Sequence, residues 1–230
     1  LRTLNVSSNE LSRYGRHNFS IVSKFNDGST EKINKSFLLY PQNKPTNKNY
    51  SIIKILPHDP NTYTQGLLID QEDFLESSGQ YRKSFIRRIN FKTGEIINEK
   101  KIDEKLFAEG ITTYGNKLYM LSWKSNKGII FNKNNFKIIG EIQYDTEGWG
   151  LTSYKNNLIM SDGTEKLYFK DPITFKTQKI IEVYDNNGKV ENINELEFIN
   201  GKIYCNIYGK DIILIIDPDT GLVESRINLN

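Results

Sequence analysis

The sequence has very few of the residues that build disulfides, metal sites and membrane spans. Its 230 residues include one cysteine and two histidines, which excludes an internal disulfide and a multi-cysteine metal site. His17 and His58 lie too far apart for a two-histidine zinc site, although either could be a lone ligand. The aliphatic run at residues 212–216 has five residues, far fewer than the ~18 of a membrane-spanning helix. We therefore expect no metal or other cofactor and no membrane span.

An excess of charge of one sign is also missing. The chain carries 31 Lys and Arg residues against 28 Asp and Glu residues, a formal net charge of +3, with the two signs interspersed. Because no basic stripe is present, a nucleic acid is not the expected partner. Cys205 lies in an apolar strand pattern and is interpreted as a packed thiol. No signal peptide opens the chain, so we expect a mature or trimmed, monomeric, extracytoplasmic (periplasmic or secreted) protein.

What the sequence does contain is one strand-rich pattern repeated four times. Each copy opens with an apolar strand start and ends its third strand in an Asp or Asn turn. The openings are 44, 40 and 45 residues apart, which is the spacing of four-stranded propeller blades. The position before each opening carries a different functional group in each copy: Gln65, Glu109, Trp149 and Asn194. A purely structural repeat would keep one residue type there, so we predict that these side chains converge on a common axis.

The pattern predicts an all-β fold, which we interpret as a five-bladed β-propeller with an incomplete last blade. A propeller closes by pairing its first and last strands in one blade, which removes exposed sheet edges. Residues 50–56 are predicted to form a strand at this seam, and its partners would have to follow Asn230. Two interpretations stay open. Either four blades close with that strand as an extra, or the chain lacks most of a fifth blade, which we favour.

The first 40 residues do not follow the sequence pattern of the repeats. Two alternating runs flank Asn26-Asp27-Gly28, and an Asp-Gly pair between such runs predicts a β-hairpin. An isolated hairpin is only marginally stable in water, so it either packs on the next domain or ends a larger β-sandwich. Residues 41–49 are rich in Pro and Asn and predict a linker. The predicted organisation is therefore a hairpin at 1–40, a linker at 41–49 and a propeller at 50–230.

Seven ordered motifs between residues 50 and 229 resemble those of the plant and bacterial type of glutaminyl-peptide cyclotransferase. They are Tyr63-Thr-Gln-Gly-Leu, Glu76-Ser-Ser-Gly-Gln-Tyr, Phe107-Ala-Glu-Gly-Ile-Thr, Leu121-Ser-Trp-Lys, Glu147-Gly-Trp-Gly-Leu-Thr, Met160-Ser-Asp-Gly-Thr and Asn194-Glu-Leu-Glu. The resemblance implies a five-bladed propeller that converts N-terminal glutamine into pyroglutamate with release of ammonia. Its partners would be peptides or proteins with N-terminal glutamine. It also implies an immunoglobulin-like domain in front, of which residues 1–40 would be the last two strands.

The resemblance further implies a role for each candidate site residue. It makes Glu109 the catalytic acid/base, and it makes Gln65 and Asn194 the groups that bind the substrate's amide or α-amine. The implied walls of the pocket and their neighbours are Trp123, Trp149, Tyr63, Phe107 and Ser161. Tyr208 stands where members of the family generally have a tryptophan and is expected to supply that wall. The family's last blade carries a Thr-Gly-Lys motif whose lysine points into the site, and this sequence contains no such motif.

Elementary chemistry leads to similar requirements. The neutral α-amine attacks the γ-carbonyl of its own side chain, so the reaction is intramolecular and the enzyme mainly selects a rotamer. An α-amine titrates near ~8, so little base strength is needed, but the departing nitrogen must be protonated. One carboxylate such as Glu109 can carry the proton between the two nitrogens. Amide side chains can hold the oxyanion and indole rings can exclude water, and no metal is needed.

Structural interpretations compete with these functional ones. Taken singly, Glu109 could start a solvated strand, and Trp123 and Trp149 could pack between blades. Four further carboxylates are interpreted as structural or turn-forming: Glu147, Glu195, Glu197 and Asp162. Two other functions also stay open. One is a non-catalytic peptide-binding propeller, and the other is a calcium-dependent lactonase-type propeller, since Asn and Glu side chains suit Ca²⁺.

Overall fold

All regular structure in the computed structural model is β-strand. The structure describes Ser7 and residues 11–230; no helix occurs among them, and hence none that could cross a membrane. The strands are, in chain order, β1 (Gly15–Lys24), β2 (Thr30–Leu39), β3 (Thr46–Lys48), β4 (Thr64–Asp70), β5 (Asp73–Ser78), β6 (Phe85–Asn90), β7 (Ile96–Lys101), β8 (Ala108–Tyr114), β9 (Lys117–Ser122), β10 (Lys127–Asn132), β11 (Ile138–Gln143), β12 (Leu151–Tyr154), β13 (Asn157–Ser161), β14 (Lys166–Lys170), β15 (Thr177–Glu182), β16 (Tyr184–Asp185), β17 (Gly188–Lys189), β18 (Ile193–Ile199), β19 (Lys202–Ile207), β20 (Ile212–Ile216) and β21 (Val223–Asn228). The predicted all-β class is confirmed.

Four antiparallel blades follow one another in sequence order. Blade 1 is β4–β7, blade 2 is β8–β11, blade 3 is β12–β15 and blade 4 is β18–β21. The first strand of each blade is the innermost, because β4 packs against β8, β8 against β12 and β12 against β18. The predicted four repeats are therefore four propeller-like blades, and the described residues contain four blades rather than five.

The hydrophobic core is divided among the three interfaces between neighbouring blades. Blades 1 and 2 bury a cluster that includes Leu75 and Phe131, and blades 2 and 3 bury one that includes Tyr119. Blades 3 and 4 bury a third cluster, which contains Ile159 and Cys205. Alternating side chains of each strand point to opposite faces, so a blade uses one face against each neighbour. Cys205 is the packed thiol that was predicted, and burial raises its pKa to about 12.

The seam strand predicted at residues 50–56 is wrong. These residues form no strand, and Ile53 among them is 96% exposed. The strand at this edge is β3 instead, inside the predicted linker, where it pairs in parallel with β21 of blade 4. Thr46 Oγ1 lies 2.7 Å from Ser225 Oγ, and Arg226 Nε donates to Asn47 Oδ1 at 2.7 Å. A strand needs a backbone partner, which β21 offers to β3, whereas residues 50–56, although rich in isoleucine, form no β-pairing among the described residues.

The predicted N-terminal hairpin is formed by β1 and β2, which pair from Gly15 with Leu39 to Lys24 with Thr30. Its turn is held by Asp27, whose Oδ1 accepts hydrogen bonds from the backbone N–H and the hydroxyl of Ser29. Both strands are largely exposed. The base of the hairpin rests on blade 3 through a 2.7 Å hydrogen bond from Arg16 N–H to Glu182 Oε2. The immunoglobulin-like origin and the domain boundaries stay predictions.

Candidate active site

Three of the four repeat-opening residues lie in interruptions of the strand pairing. The pairing of β4 with β5 shifts register at Gln65. The same occurs at Glu109 between β8 and β9 and at Asn194 between β18 and β19. Such bulges bend a strand and re-aim a side chain. Trp149 lies just before β12. The bulges at Gln65, Glu109 and Asn194 interrupt the strand alternation and so allow these three side chains to point away from the blade interfaces.

Serine and glycine residues lock the backbone at these positions. Ser77 Oγ of blade 1 donates to the carbonyl of Glu109 in blade 2 at 2.6 Å. Gly110 N–H donates to the carbonyl of Trp149 in blade 3 at 2.7 Å. A Cβ at Gly110 would lie 2.5 Å from that same carbonyl oxygen, so only glycine permits this approach of the two inner strands. The Gly that follows Glu109 in the sequence is thus a packing requirement of the site.

One cavity of about 370 Å³ lies at the mouth where the inner strands meet. Its lining residues are Tyr63, Gln65, Gln80, Phe107, Glu109, Trp123, Trp149, Asn194 and Tyr208. All four repeat-opening residues are among them, so the predicted convergence on one pocket is confirmed. The volume is at the lower end of the range of small-molecule sites, which suits one terminal residue better than a long peptide segment.

Glu109 is a buried acid on the wall of this cavity. It is 7% exposed, and burial, with a smaller effect of the Glu147 charge, raises its pKa to about 9. Its side chain is therefore a neutral carboxylic acid at pH 7. A carboxyl group held in this state can donate a proton to a leaving group.

Aromatic rings form the two sides of the cavity through edge contacts. On one side Phe107 contacts Trp123 with ring centroids 5.5 Å apart, and Tyr63 contacts Phe107 at 6.3 Å. On the other side Trp149 meets Tyr208 at 5.8 Å and 78°. Such edge-to-face contacts are the favoured geometry of aromatic pairs. Tyr208 lies at the wall position that was expected of it.

Glu147 does not line the cavity but hydrogen-bonds two of its wall residues, which agrees with its interpretation as a structural carboxylate. Its Oε2 atom accepts a hydrogen bond from Trp123 Nε1 at 2.7 Å and another from Trp149 Nε1 at 3.0 Å. The repeat pattern could not predict these hydrogen bonds, because Glu147 lies in the connection between blades 2 and 3 and not at a repeated strand position. The contact with Trp123 depends on the packing of these two blades.

Gln80 is a lining residue that the sequence analysis missed. Its φ is 84°, a left-handed conformation that is unfavourable for a residue with a side chain. The turn that follows fixes it, since its carbonyl accepts hydrogen bonds from Ser84 Oγ at 2.8 Å and from Lys83 N–H at 3.1 Å. The signal that could have found Gln80 was its place in the motif Glu76-Ser-Ser-Gly-Gln-Tyr.

Ser161 does not line the cavity, which corrects its predicted place beside the substrate. It is fully buried, and its hydroxyl is used by the backbone. Ser161 Oγ accepts from Gly150 N–H at 2.7 Å and donates to the carbonyl of Asn194 at 2.6 Å. It therefore holds the strand openings of blades 3 and 4 together, as Ser77 does for blades 1 and 2.

The other carboxylates are a turn former and two glutamates of β18 whose pKa values are raised. Asp162 accepts hydrogen bonds from the N–H and hydroxyl of Thr164 and from the hydroxyl of Tyr168, which is the predicted turn role. Glu195 is half-buried, and its pKa is raised well above the ordinary value by desolvation of its carboxyl group and by the charges of Glu109 and Glu197. Its Oε2 atom has no hydrogen-bond partner among the described residues. Burial also raises the pKa of Glu197.

The class of protein defined by this geometry is a β-propeller with a buried acid, three amide side chains and aromatic walls at one mouth. Residues 24–230 match the family described as Glutamine cyclotransferase. The chain belongs to this family, and the resemblance read from the seven motifs is confirmed.

Individual relatives agree with this assignment. The chain is 38% identical over 173 residues to the glutaminyl-peptide cyclotransferase of Arabidopsis thaliana, covering 74% of this chain and 54% of the relative. The chain thus spans about half the length of that curated relative. The crystal structure of Myxococcus xanthus glutaminyl cyclase is 32% identical and superposes with a TM-score of 0.75, covering 80% of this chain and 78% of that one. A Bacteroides caccae protein of unknown function is 14% identical with a TM-score of 0.56, covering 94% of this chain and 79% of that one, and shares the fold alone.

Proposed function

We propose that this chain carries the catalytic site of a glutaminyl-peptide cyclotransferase, which converts N-terminal glutamine of peptides or proteins into pyroglutamate and releases ammonia. The observation that carries the proposal is the neutral acid Glu109 in a small cavity lined by three amide side chains and by aromatic walls. The family membership supports the same reaction.

The reaction needs one new bond, one broken bond and the transfer of protons between nitrogens. The neutral α-amine attacks the γ-carbonyl carbon, and a ring C–N bond forms. The bond from the same carbon to the side-chain nitrogen then breaks, and ammonia leaves. Glu109 donates its proton to the departing nitrogen and takes one from the ring nitrogen, so it ends as it began. A pKa of about 9 keeps this group protonated at the pH where the amine, with a pKa near ~8, loses its proton.

The remaining lining residues position the substrate. Gln65 and Asn194 open blades 1 and 4, so the cavity offers amide groups from both ends of the blade series. Their N–H groups are suited to the oxyanion that forms at the γ-carbonyl, and their carbonyls to the α-amine. The aromatic walls exclude water and hold the folded-back side chain of the substrate near the amine, as the intramolecular reaction requires.

We further propose that the four blades belong to a five-bladed ring. The inner strands β4, β8, β12 and β18 pack in succession, whereas no comparable packing joins β18 to β4 among the described residues. The open side of blade 1 exposes two aliphatic side chains of β4, Leu67 and Ile69. A further blade would cover them. The monomeric state and the extracytoplasmic location stay predictions.

Ammonia release from a dipeptide with N-terminal glutamine tests the proposed function. We expect stoichiometric ammonia and pyroglutamyl product, with no turnover of the matching dipeptide that begins with asparagine, whose ring would be strained. A protein that binds the glutamine dipeptide in a calorimetric titration but releases no ammonia would be the non-catalytic peptide-binding propeller. Hydrolysis of a lactone instead of ammonia release, with that hydrolysis abolished by a chelator, would identify the calcium-dependent lactonase.

A further inference from the structure

Both tryptophans of the chain donate to one carboxylate oxygen. Trp123 follows β9 of blade 2, and Trp149 precedes β12 of blade 3. Their indole N–H groups reach Glu147 Oε2 at 2.7 and 3.0 Å. An indole N–H is a donor only, so each ring needs an acceptor in this half-buried site. A single atom thus ties two walls of the cavity that come from different blades.

The loop that carries Glu147 is itself held in place. Gly148 N–H donates to the carbonyl of Trp123 at 3.0 Å, which links the loop to blade 2 beside the first indole. Lys124 Nζ lies 4.0 Å from the other carboxylate oxygen, Oε1, and 3.9 Å from the centre of the Trp123 ring. The lysine covers both the carboxylate and the indole from the solvent side. These contacts support Glu147 in the orientation that both indoles use.

The second indole is also packed so that its direction depends on this bond. Trp149 packs against Gly163, where an added Cβ would be 2.7 Å from the ring. The ring meets Tyr208 at 78°. The glycine leaves room for the indole without gripping it, so the hydrogen bond to Glu147 fixes the direction of its N–H.

We propose that Glu147 is a positioning residue, which fixes both indole walls in one arrangement through its Oε2 atom and thereby sets the affinity of the cavity for the terminal residue of the substrate. The predicted effect on substrate affinity rests on the proposed cyclisation. The predicted orientation of the two indoles does not depend on it and can be measured without turnover.

Three variants of Glu147 and one control separate the effect of side-chain length from the effect of charge at this position. Glu147→Gln keeps the length of the side chain and an oxygen that can accept both bonds, but loses the charge. Glu147→Asp keeps the charge but withdraws the carboxylate by one methylene. Glu147→Leu has no acceptor. The matched control is Glu141→Leu, the same change at an exposed position on β11 of blade 2.

Tryptophan fluorescence is the first readout, because Trp123 and Trp149 are the only emitters of their kind in the chain. We expect Glu147→Gln and Glu141→Leu to keep the wild-type emission maximum and accessibility to acrylamide. We expect Glu147→Asp and Glu147→Leu to shift the maximum to longer wavelength and to become more accessible. Thermal unfolding of every variant identifies any that does not fold. If Glu147→Leu does not fold, the comparison of Glu147→Gln with Glu147→Asp tests the proposal.

The second readout is the Michaelis constant for a glutamine dipeptide, taken at each variant's own pH optimum. We expect KM to rise about tenfold in Glu147→Asp, the scale of one hydrogen bond to a charged group. We expect kcat to change less, and Glu147→Gln to stay within about threefold of wild type. If Asp behaved as wild type while Gln was impaired, the charge and not the reach would matter, and the proposal would be overturned. Unchanged fluorescence in Glu147→Leu would overturn it as well. Altered fluorescence with no ammonia release, even from wild type, would instead refute the proposed function alone.

Discussion

Replacing Glu109 with glutamine is expected to stabilise the folded protein while it removes turnover. The folded-state pKa of this group is about 9, against an ordinary value of 4.5. Between these two pH values the unfolded chain releases the proton and the folded chain keeps it. The folded state then binds more protons, so its stability falls as the pH rises. Glutamine has the same shape and no such proton.

The size of this effect follows from the pKa values. Below pH ~4.5 both states of the wild type are protonated, and the variant and wild type should be equally stable. At pH 7 the difference reaches on the order of 3 kcal/mol in favour of Glu109→Gln, at about 1.4 kcal/mol for each pH unit above 4.5. Above pH ~9 it should level off. Glu197 titrates in both proteins, and making the comparison in a Glu195→Gln background removes the coupling between Glu195 and Glu109, so the difference at each pH then isolates Glu109.

Turnover should change in the opposite direction. Glutamine can still hydrogen-bond, but it cannot move a proton from the attacking to the departing nitrogen, and a positioned acid/base contributes on the order of 10²–10⁴ in rate. We expect kcat to fall by that factor and KM to change little, because the walls and amides remain.

The assays are denaturant unfolding from pH 4 to pH 9 and ammonia release from a glutamine dipeptide. A stability difference that does not grow with pH would show that Glu109 is not held neutral by the fold. A Glu109→Gln protein that retains more than about a tenth of wild-type kcat would remove Glu109 from the mechanism. Glu195→Gln and Asp162→Asn would then be the next variants to assay.

Three further predictions concern pH, wall area and specificity. The kcat/KM profile should be bell-shaped, rising as the substrate amine deprotonates near ~8 and falling as Glu109 ionises at about 9; removing the nearby charge in Glu147→Gln should move only the falling limb, and to lower pH. Trp149→Ala should raise KM about tenfold or more through lost apolar contact, whereas Trp149→Phe, which restores ring area but has no N–H to donate to Glu147, should recover only part of it. Gln80→Gly should stabilise the fold by about 1 kcal/mol, because glycine tolerates the left-handed conformation, while it reduces discrimination among residues that follow the terminal glutamine. Gln80→Ala, which keeps the strain, should show the same loss of discrimination without the gain in stability.

The sequence alone was sufficient for the repeat and for the residues that the repeat places at its openings. Gln65, Glu109, Trp149 and Asn194 occur at intervals of one blade, and equivalent positions of successive blades face the same axis. Their convergence follows from the period alone, without knowledge of any contact. The apolar strand alternation likewise determined the all-β class, because each blade must bury both faces between its neighbours.

Sequence reasoning failed where the outcome depended on partners distant in the chain. Residues 50–56 have good strand composition, yet the edge of blade 4 pairs with the polar segment β3 instead. Ser161 carries a hydroxyl that could bind a substrate, yet this hydroxyl accepts from Gly150 N–H and donates to the carbonyl of Asn194. Local composition measures what a segment can do, whereas hydrogen-bond partners are assigned by packing.

The chemical state of the site is likewise a property of the tertiary structure alone. A glutamate in a sequence is an ordinary carboxylate, and only its burial against neighbouring blades turns Glu109 into a neutral acid. Glu147 acquires its two indole partners only because blades 2 and 3 pack side by side. The sequence determined which groups face the axis through their spacing, and the tertiary structure decided their protonation and orientation, because both depend on desolvation and on contacts between blades.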